Sequence, residues 1–298
     1  MVVIQRLARR SRSVSRKLLR ETTIAIILLF FVGGEAQGVS EEMFPTDPLA
    51  WDIAIAHLRS STETSKQNRQ LWLAKAMILM RLARTGEGSL ASDVLLSEAK
   101  RDLDAAEKLQ PADGMVEYLR GILALESKID INTAATFFEA ALKAGLRDER
   151  LLEQLTILRL AERRYSDVVD LLETAVDGSV NPQLHHLLAV AFLSLERLSE
   201  ASAEASVAVA LGGGTQPKIV LASAESLSGN YDKAEIVLRD VLDGEPGNRT
   251  AMVGLVNVLH KAGKADQATA AALILSEKFA GDDEIQAFLR GLDLDIGP

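Results

Sequence analysis

Slim apolar residues recur in this chain at Ala99, Ala134, Val168, Ala201, Ala234 and Ala268, each 33 to 35 residues after the last. Four residues beyond each stand Leu103, Phe138, Leu172, Ala205, Leu238 and Ala272. Seven residues beyond stand Ala106, Ala141, Ala175, Ala208, Val241 and Leu275. Offsets of four and seven fall on one face of an α-helix, so every occurrence marks a helix that buries a narrow stripe. Small side chains on the stripe let neighbouring helices approach closely. A fixed period near 34 residues implies a stacked array, in which each hairpin of helices covers the apolar face of the next. Aromatic residues make up only 4% of the chain, which suits alanine-lined helices better than a sheet.

Charge and composition narrow the function. Arg6, Arg9, Arg10, Arg12, Arg16, Lys17 and Arg20 crowd the N-terminus, where Glu21 and Glu35 are the acids before Gln37. From Gln37 onward there are 26 basic and 40 acidic residues, a net charge of −14. A body this acidic is repelled by phosphate backbones, so nucleic acid is not an expected partner. The chain has no cysteine, which removes disulfides, thiolate metal sites, cysteine catalysis and lipidation of a lipoprotein cysteine. Its imidazoles are His57, His185, His186 and His260, and none stands in a spacing that would set two metal ligands on one helical face. Of the adjacent His185 and His186, one is expected to pack and the other to face a groove or solvent. Gly212-Gly213-Gly214 lacks the G-K-[ST] ending of a phosphate cradle and reads as a loop. The pairs Glu41-Glu42 and Asp282-Asp283 read as solvating charges, and Asn248-Arg249-Thr250 as a chance glycosylation triplet. The expectation is therefore no enzyme, no cofactor and no metal.

The N-terminus carries an address. Residues Met1 to Arg20 are basic, Thr22 to Val32 are apolar, and Gly33, Gly34, Glu35 and Ala36 follow. A basic region, a short apolar run and small residues are the parts of a secretory signal peptide, with cleavage expected near Ala36 and an exported, periplasmic product. The run is shorter than the roughly 20 residues of a spanning helix. An uncleaved anchor over residues 22–32 is the alternative and would be the protein's one tie to a membrane. A mitochondrial presequence and a twin-arginine signal at Arg9-Arg10 fit less well.

The body divides into a linker at 37–48, N-terminal helices with a first degenerate repeat at 49–110, repeats at 111–281, and a capping helix with tail at 282–298. Two helical stretches open it. Leu49 to Arg59 carries Trp51, Ile55 and Leu58, and Leu71 to Thr85 carries Trp72, Ala76, Leu79 and Ala83. The tryptophans are expected to seal the N-terminal end of the stack rather than to hold a ligand. Thr85 to Leu90 is a glycine-bearing break. Ser97, Asn132, Ser166, Ser199, Asp232 and Asp266 are expected to cap the second helix of each repeat, while Pro111 and Pro246 close two repeats. Asp283 to Leu292, with Ile285, Phe288 and Leu289, reads as a helix covering the open end.

Ala189, Phe192, Leu198, Ala201, Ala205 and Ala208 in one repeat, and Ala222, Gly229, Tyr231, Ala234, Leu238, Val241 and Pro246 in the next, resemble the tetratricopeptide repeat pattern. The resemblance covers about Leu71 to Ala280 and is clearest from Met115 onward. It departs at Thr156 and Val168, which stand where small residues are usual, and at Leu146, Val180 and Gly213, which stand where proline is usual. It implies an all-α, right-handed superhelical solenoid whose first helices line a concave groove. The groove residues it implies are Leu119, Leu123 and Glu126; Glu153, Ile157 and Leu160; His186, Val190 and Leu193; Ile219, Ser223 and Ser226; and Val253, Asn257 and His260. The earlier repeats offer mainly apolar contacts and the last two more polar ones, which suits a protein or peptide segment with an apolar end. The alternative for several of these apolar residues is packing between repeats. The implied role is a scaffold in envelope, secretion or surface-polymer assembly, or else a regulatory or structural subunit of an envelope enzyme complex such as glycan synthesis machinery.

Overall fold

The computed structural model describes residues 48–86, 90–109, 113–292 and 294, with the backbone alone for 48–51, 53, 54 and 57. The basic segment, the apolar run, the linker, Pro111 and the side chains of Trp51 and His57 lie outside the described residues. The described residues form fourteen helices and no strand. They fall into two compact units that divide between Arg147 and Asp148, inside the repeat region.

The first unit holds α1 (Pro48–Thr64), α2 (Arg69–Thr85), α3 (Ser92–Glu107), α4 (Met115–Glu126) and α5 (Ile131–Lys143). Helices α2 and α3 pair as a hairpin, α4 and α5 as a second, and α4 packs on both α2 and α3. Leu95, Ala99, Leu103 and Ala106 of α3 are buried, as are Ala134, Phe138 and Ala141 of α5. A Cβ added at Gly121 would stand 2.3 Å from the Phe138 ring, so the missing side chain is what lets α4 lie this close to α5. An ionic cluster crosses α1, α2 and α3. Lys75 Nζ stands 2.9 Å from Asp102 and 3.2 Å from Glu98, and Arg59 pairs with Glu98 as well. Trp72 donates its indole N–H to the Lys66 carbonyl at 3.0 Å, and Lys75 lies over its ring.

The second unit holds α6 (Glu149–Ala161), α7 (Tyr165–Leu172), α8 (Pro182–Ser194), α9 (Leu198–Ala210), α10 (Thr215–Leu227), α11 (Tyr231–Gly244), α12 (Arg249–Lys261), α13 (Ala265–Lys278) and α14 (Asp283–Gly291). Consecutive helices from α6 to α14 pack in order, and the first helices of the hairpins also touch one another, α6 on α8, α8 on α10 and α10 on α12. Val168, Ala201, Ala234 and Ala268 of the second helices are fully buried. Ala222, Ala234, Leu238 and Val241 share one core cluster with Ala251, Leu255 and Leu259 of the next hairpin, so neighbouring repeats share their cores. Helix α14 closes the unit with Ile285 and Leu289 buried against Met252, Val256, Ala272 and Leu275, and with Phe288 partly buried beside them.

Two expectations are corrected. Ser97, Asn132, Ser166, Ser199, Asp232 and Asp266 do not cap the second helices. Those helices begin at Ser92, Ile131, Tyr165, Leu198, Tyr231 and Ala265, so five of the six residues lie in the first turn and Ser97 deeper. The side-chain caps belong to other helices. Asp148, Asn181, Asn248 and Asp282 accept backbone N–H bonds at the starts of α6, α8, α12 and α14. Ala175 is only half-buried because α7 ends at Leu172, and Val176 in the following turn is the buried residue instead.

Candidate functional site: the face of the first helices

In α6, residues 153, 157 and 160 are four and seven apart and share a stripe. The same offsets recur at 186, 190 and 193 in α8, 219, 223 and 226 in α10, and 253, 257 and 260 in α12. Because these four helices touch in sequence, the stripes form neighbouring rows of one face within the second unit. Ile157 is 42% exposed and His260 is exposed. Glu153, Leu160, His186, Val190, Leu193, Ile219, Ser223, Val253 and Asn257 are half-buried, and Ser226 is buried. Several have packing duties too: Val190 and Leu193 lie against the core of Ala189, Ala205 and Val220, and Val253 against the core beneath α14. The Ser223 hydroxyl donates to the Ile219 carbonyl at 2.8 Å.

Leu119 and Leu123 stand apart from that face. They belong to the first unit and are 2% and 8% exposed, so they pack and present almost no surface to a ligand. The cause is one additional residue in the α4–α5 hairpin. Core partners 189 and 205, 222 and 238, and 256 and 272 are 16 apart, whereas Gly121 meets Phe138 at a separation of 17. The stripe on α4 therefore shifts by one, and Ile122 and Leu125 are half-buried where Leu119 and Leu123 are not. Glu126 is half-buried, with Arg84 at 3.8 Å. Gly121, a small residue in the expected part of the helix, carried the signal for this shift.

Electrostatics distinguish the start of the row. Burial, with the like charge of Glu149 added, pushes the Glu153 carboxyl up from its ordinary value. Glu149 itself accepts from the Ser179 hydroxyl at 2.9 Å and the Asn181 amide at 3.2 Å. His186 has a buried Nδ1 with no hydrogen-bond partner, and desolvation pushes its pKa down. His185, by contrast, is 6% exposed, with Nδ1 2.7 Å from Glu204 and Nε2 3.2 Å from the Ser179 carbonyl. Leu227, 57% exposed at the end of α10, extends the apolar surface and was not anticipated. Among the described residues no group of three or more His, Asp or Glu side chains could hold a metal, and no helix is long and apolar enough to cross a membrane.

Hairpins of paired helices that pack in sequence within each unit define a helical-repeat fold. Residues 227–292 match the family model described as tetratricopeptide repeat. Three solved structures share the fold. One is YrrB, "a TPR protein with an unusual peptide-binding site", at 17% identity and a TM-score of 0.53, covering 65% of this chain and 95% of its own. Another is pilF of Pseudomonas aeruginosa, at 16% and 0.57, covering 75% and 99%. The third is PilW, a "type IV pilus biogenesis factor", at 15% and 0.59, covering 74% and 99%. No curated sequence relative matches significantly. The family match covers residues 227–292, and the likeness of the chain to these structures is one of fold.

Proposed function

We propose that the chain is a non-enzymatic scaffold that holds a segment of another protein against the first helices of its second unit. The carrying observation is the row of side chains on α6, α8, α10 and α12, all but Ser226 half-buried or exposed, on helices that touch in sequence. YrrB supports the reading, because a protein of the same fold has a described peptide-binding site. Beyond Glu153 and His186 the residues of the row on α6 and α8 are apolar, and those on α10 and α12 are more polar, which suits a segment with one apolar end.

A role in cell-envelope assembly is the finer part of the proposal. It draws on the basic and apolar N-terminal pattern and on the shared fold with PilW. On this reading the native protein begins near Gln37 outside the cytoplasm, and N-terminal sequencing that returned residues before Thr22 would refute cleavage.

Ile157→Lys tests the binding face. Its side chain is 42% exposed, so the substitution should leave helicity intact while a charge set against an apolar segment meets a desolvation cost. Capture of envelope proteins by the full chain and circular dichroism are measured on the same preparation. Unchanged helicity with lost capture is the expected result, and unchanged capture would move the site elsewhere.

A further inference from the structure

The chemistry of the occupant can be argued from the start of the row, and this step rests on the binding face proposed above. Glu153 shares its stripe with Ile157 and Leu160, and the row continues on α8 with His186, Val190 and Leu193. Glu153 is half-buried and makes no hydrogen bond or ion pair among the described residues; the charge acting on it is the like charge of Glu149. No lysine or arginine occupies the corresponding stripe positions of α8, α10 or α12. His186 holds the place of Glu153 one repeat later, and its buried Nδ1 lacks a partner. Burial pushes the pKa of that ring down, which disfavours the cation that Glu153 lacks.

We propose that the face takes a protein segment in which a lysine or arginine side chain stands between apolar neighbours, with the cation against Glu153. A carboxylate removed from water without a partner is unfavourable, and a charge-assisted hydrogen bond from an ammonium or guanidinium relieves it. An acidic segment, or one presenting its C-terminal carboxylate here, meets a like charge instead. The apolar flanks lie over Ile157, Leu160, Val190 and Leu193.

The test uses the full chain and an array of blocked octapeptides in which leucine, valine and serine surround one scanned position. Peptides with lysine or arginine there should bind at least about tenfold more tightly than those with glutamate. Glu153→Gln should bring the two within about twofold, and Glu153→Lys should reverse the order. Glu153 anchors no other side chain, so circular dichroism should stay unchanged in both variants. Binding that ignores the scanned charge, or a preference that survives Glu153→Gln, overturns the cation inference. If such charge-blind binding is lost in Ile157→Lys, the binding face still stands. If no peptide binds, or binding persists in Ile157→Lys, both fall.

Discussion

Asp102 is 3% exposed, and burial pushes its carboxyl up to about 6 although Lys75 stands 2.9 Å away and pulls it down. Its second oxygen has no hydrogen-bond partner. An acid whose folded pKa lies above its unfolded value of about 3.9 binds its proton more tightly in the folded chain. Its contribution to stability is therefore full below about pH 4 and is lost as pH rises through about 6. Glu98 and Asp113 run the other way, held below their ordinary values by hydrogen bonds from Arg59 and Arg69. Asp102→Asn removes the one term and leaves the others largely in place. Urea unfolding of parent and variant from pH 4 to 7 should show the variant gaining on the parent by as much as about 3 kcal/mol. A constant or shrinking difference would mean that Asp102 is charged without penalty. None of this cluster was legible in the sequence, because Arg59, Lys75, Glu98 and Asp102 follow no period. Only the folding of α1, α2 and α3 brings them together.

Turns between paired helices set the register of each hairpin. The residue at the left-handed position is Lys128, Arg163 or Glu196 in three repeats, with φ of 52°, 58° and 58°, and Gly229 or Gly263 in the next two, with φ of 81° and 71°. The non-glycine residues carry a strain of roughly 1–2 kcal/mol, partly offset because glycine loses more freedom on folding. Glu196→Gly should therefore raise unfolding stability by about 0.5–1 kcal/mol in chemical denaturation. Gly229→Ala should lower it at the equivalent turn, and a loss in both variants would contradict the turn geometry. The helices themselves were legible because small residues on a buried stripe leave a strict period, and every small residue opening a second-helix stripe is buried. Their ends were harder to read. Serine or aspartate serves the first turn of a helix as readily as its cap, and the true caps Asp148, Asn181, Asn248 and Asp282 formed a second series broken at Gly214, which has no side chain to cap α10. Thr156 is a further departure from the small-residue pattern, fully buried with its hydroxyl unpartnered.

At the scale of the whole chain, periodicity specified the class of fold but not the surface that works. Positions that pack helix on helix repeat because every hairpin solves the same packing problem. Positions on the outer rows answer to a partner that the chain does not contain, so Glu153, His186, Ile219 and Val253 share a repeat position without sharing a residue type. One inserted residue in the α4–α5 hairpin was enough to move Leu119 and Leu123 from the expected face into the core. Exposed apolar side chains also occur on the second helices, at Val207, Ile236, Leu273 and Ile274, and these mark the rival surface. Hydroxyl-radical footprinting of the full chain, with and without a captured partner, separates the two directly. Ile157, Leu160 and Leu193 should lose reactivity on binding while Ile236, Leu273 and Ile274 keep theirs. Protection of the second-helix residues with Ile157 unchanged would contradict a binding face on the first helices.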